Sequence, residues 1–90
     1  MDEVYNMKAE RPYPNITITP KGERAVLNGH PWVYDAEITA ASGDIADGAV
    51  VDVLSAKGRW LGSALYNSHS KIRGRLISRN ANDKFDSSFW

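Results

Sequence analysis

The chain has no cysteine among its 90 residues, so disulfides and thiolate metal sites are excluded, and a reducing compartment is compatible. Its two histidines, His30 and His69, stand far apart and cannot supply a structural zinc ligand set. No apolar run approaches the roughly 20 residues of a membrane span, and the N-terminus lacks a basic-then-apolar signal. The sequence therefore reads as cytoplasmic, with no membrane partner. Nucleotide-cradling loops are missing too: Gly58, Gly62 and Gly74 are scattered along strand-like segments and form neither a G-x-G-x-x-G nor a P-loop pattern. No G-x-S-x-G elbow frames any serine. Formal net charge is zero, with 11 basic and 11 acidic residues.

What is present fits one globular domain. The chain is 42% hydrophobic and 24% charged, ordinary for a packed protein and unlike a disordered one. A chain of this length buries somewhat over about 60% of its unfolded surface, enough for one modest core. The zero net charge conceals a segregation. Between Ala25 and Ala56 lie Asp35, Glu37, Asp44, Asp47 and Asp52, with no Lys or Arg. Between Val53 and Asn82 lie Lys57, Arg59, Lys71, Arg73, Arg75 and Arg79, with no Asp or Glu. Such blocks either build one basic side that attracts phosphate or neutralise each other across neighbouring strands.

Periodicity divides the chain. Residues 1–14 show no clean pattern and hold Pro12 and Pro14, as a flexible lead-in would. Asn15 to Thr19 alternates and is β-branched, hence a strand. Pro20-Lys21-Gly22 reads as its terminator, followed by one or two helical turns over Glu23–Asn28 with Gly29 as a left-handed cap. Trp32 to Ile38 alternates as a second strand, placing Trp32, Tyr34 and Ala36 on one face and Val33, Asp35 and Glu37 on the other. The run Ala40–Gly48 reads as a loop, Ala49–Leu54 as a Val-rich strand and Ser55–Gly58 as a hairpin turn. Arg59–Asn67 and Ile72–Ser78 complete the set, with small residues beside large aromatics suited to a curved sheet. Several short strands and one short helix predict a mainly β fold, a small β-barrel. On the last strand Arg73 and Arg75 share a face, roughly 6.6 Å apart, a spacing suited to two phosphates or two surface carboxylates.

The histidines offer little chemistry. His69 sits in the polar turn Asn67–Lys71, where an adjacent serine is no catalytic partner without contact geometry. His30 precedes Pro31, which keeps it out of the α region. The imidazole either bonds nearby backbone while Trp32 plugs the barrel, or acts with Asp35.

The run NGHPWVYDAEI, a Gly-Asp-rich loop, and then GAVVDVLSAKGRWLGSALYNSHSKIRGRLIS together resemble the N-terminal PUA-type domain of bacterial enzymes that methylate carbon-5 of cytosine in large-subunit ribosomal RNA. The most specific parts are His30-Pro31-Trp32-Val33, Val51-Asp52-Val53 with Gly58 and Gly62, and Tyr66-Asn67 with Ser70, Ile72 and Arg75. The resemblance implies a small PUA-like pseudobarrel over residues 15–82 and, over 83–90, the start of a helix or linker into a missing methyltransferase domain. It implies no cofactor in this chain and S-adenosylmethionine in the parent protein. It implies structured RNA, of ribosomal type, as the partner, met by the first helix, the strand after it and the last strand. On these elements Lys21, Arg24, Lys71, Arg73, Arg75 and Arg79 are the phosphate-binding candidates; no catalytic or metal residue is expected. Trp32 and Tyr34 are expected in the core. The alternative function is a packing or homodimerisation module, through an apolar patch around Phe85, Phe89 and Trp90.

Overall fold

A computed structural model describes residues 12–80. Strand β1, Asn15–Ile18, buries Ile16 and Ile18 and leaves Asn15 and Thr17 half-covered. Thr19 then caps helix α1, Pro20–Leu27: its backbone is extended and its Oγ accepts the Gly22 N–H at 3.1 Å. Pro20 stands at the first helical position, where no N–H is needed. The helix thus begins three residues before the Glu23 suggested by sequence, because Pro-Lys-Gly is its first turn and not a terminator.

The other end of α1 is as expected. Gly29 has φ 95°, the Gly29 N–H donates to Val26 O at 3.0 Å, and the His30 N–H donates to Ala25 O at 2.9 Å. This pair of bonds closes a helix through a left-handed residue, which glycine adopts without a Cβ clash.

Strand β2 is only Trp32–Tyr34. A 3-10 turn, Asp35–Glu37, follows and leads into β3, Ile38–Ala41. The single strand expected over Trp32–Ile38 is therefore broken, and Ala40 and Ala41, expected in a loop, pair with β1. Strands β4 (Val50–Leu54), β5 (Trp60–Tyr66) and β6 (Ile72–Ser78) form an antiparallel meander. The sheet order is β2-β6-β5-β4-β1-β3, with β1 and β4 parallel.

Strands β2 and β3 are the opposite edges of this sheet, yet only Asp35–Glu37 separates them in sequence. Three residues of 3-10 helix advance about 6 Å. The sheet must therefore curl until its edges meet at that point, giving a six-stranded half-barrel. Register breaks at Thr17/Ile18, Val33/Tyr34, Val53/Leu54 and Ser63/Ala64 supply the bends. Gly62 allows the tightest approach: a Cβ there would lie 2.9 Å from the Ser78 carbonyl oxygen.

Ile16, Ile18, Val26, Val33, Val51, Val53, Leu61 and Ala64 form the core, with Ile38, Ile45, Tyr66 and Leu76 packed against it. Trp32 does not plug the barrel; Val33, 2% exposed, points inward in its place. Among the described residues one acidic side chain is buried with this core: Asp52, which accepts from the Trp60 indole N–H at 3.0 Å and the Ser63 hydroxyl at 3.2 Å. Such bonds offset the cost of burying a carboxylate. The expected lead-in falls mostly, and the helix start over 83–90 wholly, outside the described residues. Among the described residues no helix is long and apolar enough to cross a membrane, and no three His, Asp or Glu side chains gather as a metal site.

Candidate nucleic-acid interface

Because Val33 faces the core, its neighbours Trp32 and Tyr34 must face out on the pleated strand. They are 38% and 40% exposed, so the expected core role of both is overturned. His30, also exposed, joins them. Its ring centroid lies 5.9 Å from that of Trp32 and 6.2 Å from that of Tyr34, while Trp32 and Tyr34 stand edge to face at 6.5 Å. The turn holds this group in place: Gly29 ends α1, Pro31 sets the entry, and the Pro31 carbonyl accepts the Leu76 N–H of β6 at 2.8 Å. His30 Nδ1 faces the Trp32 N–H at a long 3.4 Å, a weak local bond of the kind expected.

Arg75 belongs to the same surface. Register pairs it with Trp32 across β2 and β6, and its guanidinium carbon lies 5.9 Å from the Trp32 ring centroid. Among the described residues no carboxylate reaches ion-pairing distance of Arg75. Lys21 enters from the first turn of α1: with His30, Trp32, Tyr34 and Glu37 it lines a cleft of about 210 Å³. Arg24 lies exposed on α1 and Lys71 exposed at the start of β6.

The other two candidates have structural work. Arg73 donates from Nε to Ser70 O at 3.0 Å and pairs through a terminal nitrogen with Asp35 at 3.2 Å. The break in register between Val33 and Tyr34 falls opposite it, so Arg73 and Arg75 do not act as a regular pair. Arg79 reaches from the end of β6 to the end of α1, donating to Val26 O at 2.7 Å and, more weakly, to His30 O at 3.4 Å. It thereby complements the negative end of the helix. In the loop before β4, Asp47 accepts the Ser68 N–H at 2.7 Å and lies 3.1 Å from His69 Nε2. The bonds from Ser68 hold the Asp47 carboxyl below its ordinary value, helped by the His69 and Arg73 charges. Acidic and basic blocks thus neutralise one another at Asp35–Arg73, while Arg75 and Lys21 stand beside the aromatic group. Sequence reasoning missed Trp32, Tyr34 and His30 as surface residues; the signal available was Val33, the only aliphatic residue in the His-Pro-Trp-Val-Tyr run.

The family model described as a PUA-like domain matches residues 16–79. The chain belongs to the PUA-like family. Among curated relatives, a protein named ribosomal RNA large subunit methyltransferase I from Pseudoalteromonas atlantica is 33% identical over 75 residues, 83% of this chain and 19% of that protein. Its namesake from Klebsiella pneumoniae (strain 342) is 27% identical over 78 residues, 87% of this chain and 20% of that protein. The PUA-like domain thus spans about a fifth of the length of these relatives. Among solved structures, a conserved PUA domain protein from Thermoplasma acidophilum superposes with a TM-score of 0.69 at 19% identity, covering 96% of this chain and 62% of the other. A Streptococcus mutans protein described as a SAM-dependent methyltransferase gives 0.56 at 20% identity, covering 73% and 17%. At such identities the two structures speak for the fold alone, and both agree on the curled PUA-like sheet.

Proposed function

We propose that this PUA-like domain is the RNA-binding accessory part of a cytoplasmic, SAM-dependent ribosomal RNA methyltransferase, helping to position structured RNA. The names of the relatives support the enzyme context; SAM and the transfer step belong, in this reading, to the rest of such a protein. The observation that carries the binding role is the exposed Trp32–Tyr34–His30 group beside an Arg75 with no acidic partner among the described residues. Aromatic faces next to cations suit bases and phosphates together. Arg75, Lys21, Arg24 and Lys71 contact phosphate. Arg73 and Arg79 hold β6 against the Asp35–Glu37 turn and α1, and add charge.

The test is a fluorescence titration against structured ribosomal RNA at several salt concentrations. Log affinity falls linearly with log salt, and Arg75→Ala lowers the slope by about 1. Absence of binding at low salt overturns the proposal. A packing or dimerisation role is favoured by one observation: Leu27, Trp32 and Tyr34 are exposed large hydrophobics in the same region of chain. It requires light scattering to show a dimer that Trp32→Ala dissolves. The apolar patch expected around Phe85, Phe89 and Trp90 lies outside the described residues.

A further inference from the structure

A carboxylate is out of place on a surface that attracts phosphate, yet Glu37 lines the cleft between Lys21 and the three aromatic rings. Its position is held from several sides. The Thr19 hydroxyl donates to Glu37 Oε1, and the Thr19 N–H donates to Glu37 O at 2.8 Å. Gly22 packs beneath its stem: a Cβ on Gly22 would come within 3.1 Å of Glu37 Cβ and 3.5 Å of Cγ. Thr19 is also the cap of α1, so helix, turn and carboxylate are oriented together. Among the described residues nothing donates to the second oxygen, Oε2. The cleft of about 210 Å³, about seven liquid-water volumes, has room for one ring system.

We infer that this cleft is a pocket for one unpaired RNA base carrying an exocyclic amino group, with Trp32, Tyr34 and His30 as its walls and Glu37 Oε2 as the acceptor that reads it. The inference rests on the RNA-binding role proposed above and specifies what part of the RNA is bound. Only a base outside the stack of a duplex offers its face to aromatic side chains. Cytosine presents an amino donor where uracil presents a carbonyl acceptor, as thymine does. A fixed carboxylate accepts from the first and repels the second. Arg75, 5.9 Å from the Trp32 ring centroid, and Lys21, which lines the cleft, are placed for the flanking phosphates.

The experiment is an anisotropy titration of the chain with hairpins identical except for one unpaired nucleotide: cytosine, uracil or N4,N4-dimethylcytosine, beside a fully paired duplex. Cytosine binds about tenfold more tightly than either of the other two, the worth of one hydrogen bond to a charged group. The duplex binds more weakly than the cytosine hairpin. Glu37→Gln removes the cytosine-over-uracil ratio and keeps the salt dependence, since Gln still accepts from Thr19. The dimethyl base tests the same contact without altering the protein. Salt-dependent binding that ignores the unpaired base overturns the pocket and leaves the docking role standing; no binding at all overturns both. A Glu37→Gln protein that melts earlier with an unchanged base ratio shows Glu37 to be structural, and also overturns the pocket.

Discussion

Arg79→Met separates a structural arginine from a phosphate-binding one. Methionine keeps an apolar stem over Gly62, where Arg79 Cγ lies 3.9 Å from the site of a Cβ, and removes only the charged head. The loss is then the 2.7 Å bond to Val26 O and the weak 3.4 Å approach to His30 O. A hydrogen bond to a charged group is worth about 1.5–3 kcal/mol, and a cation at a helix C-terminus about 0.3–1 kcal/mol. Val26 O also accepts from the Gly29 N–H, so it is not orphaned when Arg79 goes. The lower end therefore applies, about 1–2 kcal/mol. For a domain of this size each kcal/mol moves Tm by about 4–8 °C. Urea and thermal unfolding followed by circular dichroism measure the fall, and salt-dependent RNA titration shows the slope nearly unchanged. Unaltered stability together with a slope smaller by about 1 refutes the assignment and makes Arg79 a phosphate ligand.

Trp32→Ala removes a stacking face and lowers RNA affinity by about 1–3 kcal/mol at every salt concentration, leaving the salt slope in place; a changed slope with equal affinity at low salt contradicts this. Gly62→Ala forces a Cβ to 2.9 Å from the Ser78 carbonyl oxygen, so β5 and β6 must separate, at about 1–3 kcal/mol in urea unfolding; a neutral substitution shows that β6 shifts freely. Asp47, whose pKa is lowered chiefly by the Ser68 N–H, stabilises the fold at neutral pH, and that contribution is lost as pH falls below 3.8 through the folded-state value. The difference in urea midpoint between the parent and Asp47→Asn therefore shrinks on acidification; a difference independent of pH assigns the effect to something other than ionisation.

Local signals served well where local physics decides. The bounds of β6 and the left-handed cap at Gly29 follow from alternation and from one glycine after a helical run. Pro20 misled because Pro-Lys-Gly is as good a strand terminator as a first helical turn; the Thr19 side chain chooses between them. Alternation in Trp32-Val33-Tyr34 shows which residues share a face but not which face is inside. Curvature and a core of Val and Ile decide that, and neither is local. Asp35-Ala36-Glu37 continues the alternating pattern, so the turn that breaks the strand is set by closure of the sheet. Asp35, which pairs with Arg73, and Val26, whose carbonyl Arg79 binds, lie 38 and 53 residues away, beyond any spacing rule. Recognition of the family carried the fold through these gaps, but not the exposure of the aromatic group.

The short turn between β2 and β3 has a further effect on how this domain behaves among other chains. An open six-stranded sheet presents two rows of unpaired backbone groups, each a template for a foreign strand. Here the edges are only three and four residues long and are tethered to each other at one end. A strand seeking to add on finds too short a ladder to hold it. The curl that shapes the binding face thus also protects the domain from strand exchange and aggregation, even while it displays tryptophan and tyrosine to solvent.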